Sequence, residues 1–212
     1  RDLQVQTAGS FEDLAGVMPG FRTPISDAGG EPEPIRVAVA TPNLFRLLGA
    51  RIIAGRDFVA DDALPQPPPP APAPQAQAAQ APPPPRLPLV AILSYQLWQR
   101  RYGGDMSVLG RQVDLGGGGR ALIVGVLAPD FEMLFPPRAN FERVPDMWTA
   151  IRINYETANR NNAMLRVVGR LKPGISLKQA NAEVERLSAD LRKQFPIKQT
   201  SGLHFRVVSM YE

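Results

Sequence analysis

Four consecutive glycines, Gly116 to Gly119, offer the first place to look for chemistry. Unhindered backbone amides can close around a phosphate. No Lys-Ser or Lys-Thr pair follows them, residues 120–126 read as strand, and no acidic residue sits at the spacing a ribose needs, so a hairpin turn is expected instead. Asp57, Asp61 and Asp62 could do acid-base work or hold a hard cation. A calcium loop needs ligands at alternate positions and a distal Glu, and this segment has neither. The single histidine, His204, lies in an alternating run over residues 203–210 and reads as a surface or strand-edge residue. With no cysteine in the chain, a thiolate nucleophile and a Cys/His zinc cluster are excluded. Trp148 is expected as a core or subdomain-interface aromatic, with ligand stacking as the alternative, and the adjacent Arg100 and Arg101 as partner-facing charges. No catalytic, cofactor or metal residue emerges.

The elements that position these residues are easier to read. Ser94 caps a helix that places Leu97, Trp98 and Tyr102 on one face and ends at Gly103 and Gly104. Strands at 112–115 and 121–126 flank the glycine run, and a buried-type strand at 89–93 precedes the helix. Earlier, residues 35–39 alternate as a strand. Thr41 and Pro42 then start a helix carrying Leu44, Phe45, Leu47 and Leu48, which Gly49 closes. Residues 11–17 read as a short amphipathic helix capped by Ser10, inside an otherwise loop-like N-terminus. Residues 165–171 form a strand, and Ser176 with Gln179 makes a capping box. The helix that follows lines up Leu177, Ala180, Val184, Leu187, Leu191 and Phe195 and stops before Pro196. A strand over 203–210 would complete a strand-helix-strand unit.

Composition narrows the function classes. The 212 residues, 44% hydrophobic, suffice for one large domain or two small ones. The formal charge is +4, but with 7% aromatics and no basic-aromatic interleaving, nucleic-acid binding is not expected. Residues 65–88 are Pro-Ala-Gln low-complexity sequence, expected as a disordered or polyproline-like surface insertion, with a proline-rich interaction ligand as the alternative. No apolar run approaches the roughly 20 residues that span a bilayer, and the start at Arg1 suits a piece of a longer protein.

Five blocks in order resemble the MacB-like periplasmic core domain of MacB/FtsX-type ABC transporter permeases, with the duplicated orphan permeases of acidobacteria as the nearest likeness. They are TPNLFRLLGARIIAGRDF (41–58), LSYQLWQRRYGGDMSVLGRQVDL (93–115), LIVGVLAPDF (122–131), DMWTAI (146–151) and LRVVGRLKPGISLKQANAEVERL (165–187). Within them, the resemblance singles out Phe45, Gly49, Gly55, Arg56, Phe58, Ser94, Trp98, Gly104, Gly110, Gly125, Phe131 and Trp148 as structural motif positions. It implies an α+β fold in which a porter-like α/β subdomain, residues 1–51 and 165–212, carries an inserted smaller, mostly β subdomain, residues 52–164.

The resemblance further implies a non-enzymatic periplasmic domain of a dimeric, membrane-embedded permease at the inner membrane. A separate cytoplasmic ABC ATPase would hydrolyse ATP, and the domain would engage an adaptor or substrate protein, with no cofactor. One membrane helix is expected before Arg1 and three after Glu212. Two departures stand out: the insertion at 65–88 replaces a short loop, and the glycine run replaces an Asn-Gly turn, which should slacken the hairpin. The rival reading is a soluble hydrolase or carbohydrate-binding module in which Trp148 and the Asp57–Asp62 segment converge.

Overall fold

The structure is a computed structural model that describes residues 2–27, 30–67, 87–117, 119–133, 145–154 and 165–210. The expectation for the proline-rich segment lies outside them over 68–86.

A long strand organises the fold. β1 (Phe11–Ser26) replaces the short helix and loop expected at the N-terminus. Its first half pairs with β8 (Arg166–Leu171) and its second half with β2 (Glu33–Ala40), both antiparallel. The glycines and prolines that suggested a loop are accommodated by irregular pairing, because the register shifts between Met18 and Phe21, where Pro19 and Gly20 fall. A proline cannot donate to a ladder, so a bulge is where a strand tolerates one.

From β2 the sheet continues through β7 (Met147–Ala150), β4 (Leu89–Leu93), β6 (Gly119–Leu127) and β5 (Gln112–Leu115). Ile25 and Ser26 then pair with Leu115 and Asp114, so the ladders return to β1 and close a ring. β3 (Ile52–Gly55) adds to β6. These ladders join β1 and β2 to β5 and β7, on both sides of residue 51 in the sequence. The expected α+β class is the class observed.

Alternation along the strands sorts two cores. Ile35, Val37, Ala91, Leu93, Val113, Ile123 and Met147 face one core, closed by Leu97 and Trp98 of α3 (Tyr95–Tyr102). Ala38, Ala40, Val90, Ile92, Leu127 and Trp148 face the other, covered by Leu44, Phe45 and Leu47 of α2 (Leu44–Leu48). A third cluster packs Phe11 and Leu14 of β1 against Ala180 and Val184 of α4 (Leu177–Gln194), with Leu3 of α1 (Asp2–Gln6) at its edge.

Helix ends follow local chemistry. The Leu97 N–H donates to Ser94 Oγ at 3.1 Å, and Gly103 takes the left-handed φ of 59° that lets its N–H close the last turn of α3. Ser176 and Gln179 form the expected capping box of α4. Thr41 does not cap α2. Its hydroxyl donates to Asn43 Oδ1 and accepts the Gly16 N–H, tying β1 to the turn before the helix. Residues 203–210 follow α5 (Pro196–Thr200) and form no strand, although their burial alternates. Periodicity reports which side chains face inward, whereas a strand also needs a neighbouring main chain.

Candidate functional site

A cleft of about 630 Å³ lies between the β1–β2 turn and α3, lined by Asp27, Glu31, Glu33, Arg101, Tyr102 and Arg111. Arg101, expected to face a partner, is instead the hub of its wall. Its guanidinium bonds Asp27 and Glu33 and donates to the Glu31 carbonyl, leaving its side chain 11% exposed. Arg100 pairs with Glu33 and Asp146 but keeps about half its surface in solvent. Burial, with the Asp27 charge adding to it, pushes the Tyr102 phenol above its ordinary range, so it stays neutral. Opposite charges here satisfy one another, and no nucleophile is set beside a base.

The three aspartates do not converge into one site. Asp62 is buried and takes a two-pronged hydrogen bond from Arg56, at 2.7 and 3.0 Å, plus the Val59 N–H at 2.9 Å. Burial alone would raise its carboxyl, and the Arg56 hydrogen bond, helped by the Val59 N–H and the Arg56 and Arg152 charges, outweighs burial and holds it below the usual range. Asp57 caps the Phe58 N–H and is pushed up, chiefly by burial. Among the described residues no group of three His, Cys, Asp or Glu stands close enough to hold a metal ion.

Trp148 is 1% exposed and packs edge-on against Phe45 at 5.4 Å and Phe131 at 6.1 Å. It cannot stack a ligand, which removes the hydrolase or carbohydrate-module site built on it. Gly116 and Gly117 form the expected hairpin turn between β5 and β6, with the Gly116 N–H bonded to the Pro24 carbonyl. His204 is exposed.

The remaining motif residues are scaffold by position. Phe45 and Phe58 are buried, and Trp98 donates its indole N–H to the Asp105 carbonyl. Gly49, Gly104 and Gly110 take positive φ, as does Gly55, where a Cβ would lie 2.1 Å from the Val124 carbonyl oxygen. Gly125 faces the Arg56 carbonyl in the same way, so β3 and β6 meet more closely than side chains permit.

Two features had little signal in the sequence. At the base of the proline-rich insertion, the Gln66 amide both donates to and accepts from the Leu87 main chain, and Arg152 donates to the carbonyls of Leu64 and Pro88. Along α4, Asn181, Ser188 and Arg192 hydrogen-bond the main chain of residues 203–207. Long-range polar pairs of this kind leave no periodic trace.

Comparison with solved structures gives the same architecture. The extracellular domain of the noncanonic ABC-type transporter YknZ from Gram-positive bacteria is 14% identical, covering 91% of this chain and 82% of its own, with a TM-score of 0.58. The periplasmic region of MacB from Actinobacillus actinomycetemcomitans is 12% identical over 96% and 82%, TM-score 0.57. A domain of a permease from Porphyromonas gingivalis is 19% identical over 85% and 70%, TM-score 0.55. No curated protein matches the sequence. No helix among the described residues is long and apolar enough to cross a membrane. Residues 1–187 match the family of MacB-like periplasmic core domains, and the chain belongs to it: a periplasmic-type domain of an ABC transporter permease.

Proposed function

We propose that this domain is non-enzymatic and couples ATP hydrolysis by a cytoplasmic ABC ATPase to the handling of a substrate or partner protein outside the inner membrane. The observation that carries this reading is the family match over residues 1–187. The fold supplies a route for motion. α1 and residues 203–210 both lie against α4, and α4 packs on β1, which pairs with β8 at one end and with β2 and β5 at the other. A displacement entering at either end of the chain therefore reaches the ring. The division into residues 1–51 with 165–212 and residues 52–164 is part of this proposal: the apolar cluster around α4 draws only on the first unit, while β1 and β2 tie that unit to β5 and β7 of the second. The whole permease would be a dimer anchored by helices outside this chain.

The test is hydrogen exchange on the intact permease with its ATPase, in lipid, with and without ATP. Exchange over residues 203–210 and α4 should change on ATP addition. The double variant Asn181→Ala/Ser188→Ala, which unhooks 203–210, should leave ATP hydrolysis within about twofold and abolish the change in the domain. Exchange in the domain that ignores ATP would end the coupling hypothesis.

A further inference from the structure

Residues 203–209 run without helix or turn and their burial alternates, as in an extended chain, which points successive main-chain groups to opposite edges. The edge toward α4 is engaged at three residues: Arg192 donates to the Leu203 carbonyl at 2.6 Å, the Phe205 N–H donates to Ser188 Oγ at 2.9 Å, and Asn181 makes a two-way pair with Val207 at 2.8 and 3.0 Å. Phe205 and Val207, half-buried, pack against the α4 cluster. The segment is thus held straight by a helix instead of a sheet.

The other edge is open. Among the described residues, the main-chain groups of His204, Arg206 and Val208 have no hydrogen-bond partner in the chain, all three residues are exposed, and Val208 is 50% accessible. An ordered extended segment with one free edge is a template for an added strand. Its charge selects the occupant. Residues 165–210 carry nine Lys or Arg against three Asp or Glu, while the whole chain has an excess of only four. Arg206 lies on the edge itself, and the Lys198 carbonyl accepts the Leu203 N–H at its start.

We infer that residues 203–210 form a docking edge for an extended acidic segment of a partner protein, which pairs its main chain with His204, Arg206 and Val208. This inference rests on the reading of the domain as one that handles partners. The assay below reads binding to the chain alone, so its failure leaves ATP-linked motion untouched, and a failure of that motion leaves binding untouched.

The probes are a short peptide alternating glutamate and valine, its lysine counterpart, and the acidic peptide with one central proline. Each is titrated into the 212-residue chain, with amide exchange read by NMR. The acidic peptide should slow exchange at His204, Arg206 and Val208 at least about tenfold. The lysine and proline peptides should bind about tenfold or more weakly, since the first inverts the charge and the second breaks the ladder. Arg206→Glu should weaken the acidic peptide by a similar factor with an unchanged circular-dichroism spectrum. Equal binding of the proline peptide would reduce the effect to adsorption and overturn the inference. So would no binding, or protection of these amides in the free chain that grows with concentration, which would make a second copy the occupant.

Discussion

Asp62 and Asp57 are close in sequence, burial raises both carboxyls, and their net shifts are opposite. Asp62 has its guanidinium partner and is held low, whereas Asp57 has only one backbone donor and is pushed up. The lowered carboxyl of Asp62 stabilises the fold above its unfolded value of about 4, and that contribution fades as pH falls through the folded value. Asp57 has the reverse sign: its ionised form costs stability at neutral pH and the cost is relieved in acid. Asp62→Asn should destabilise by about 1–2 kcal/mol at pH 7, discounted because Arg56 is 45% exposed, and the loss should shrink below about pH 4. Urea melts across that range check it. A pH-independent loss would mean that the Asn fails for packing reasons. These carboxylates stand out in the sequence but are not sorted by it, because which one meets Arg56 depends on the turn at Ala60–Ala63.

At the scale of elements, α3 was legible in nearly every detail: cap, face and termination are all encoded within a dozen residues, as is the hairpin beside it. α4 was legible for the same reason. β1 was not, since its glycines and prolines are tolerated only because β2, β5 and β8 hold its irregular register. The run at 203–210 was misread in the other direction, with alternation produced by a helix surface. Arg101 shows how α3 is locked to the β1–β2 turn, a contact between residues some 70 apart in sequence. Arg101→Ala would strip Asp27 and Glu33 of their buried partner and should cost about 2–3 kcal/mol in urea unfolding. Arg100→Ala, at a side chain 49% exposed, should cost about 0.5 kcal/mol. Equal losses would show that burial does not set the difference.

At the scale of the molecule, the closed ring fixes where the residues singled out by the resemblance pack. Phe45, Trp148 and Phe131 interlock on one face, and Gly55 with Gly125 lets β3 lie against β6. Gln66 and Arg152 close a neck at the described ends of the proline-rich insertion. Replacing residues 68–86 with a short Gly-Ser linker should leave the thermal midpoint unchanged or raise stability by about 1 kcal/mol, through the lower entropy of a shorter loop. A clear loss would show that the insertion packs on the ring.

The neck also uncouples the length of the tract from the body of the domain. Because Gln66 and Arg152 tie the strands together before the proline tract begins, tract length can drift, expand or contract without altering the register of β4. The same position is a graft point. A folded module placed between residues 67 and 87 would inherit a ready-made, closely spaced pair of ends, letting a permease domain acquire a new appendage while the ring beneath it keeps its shape.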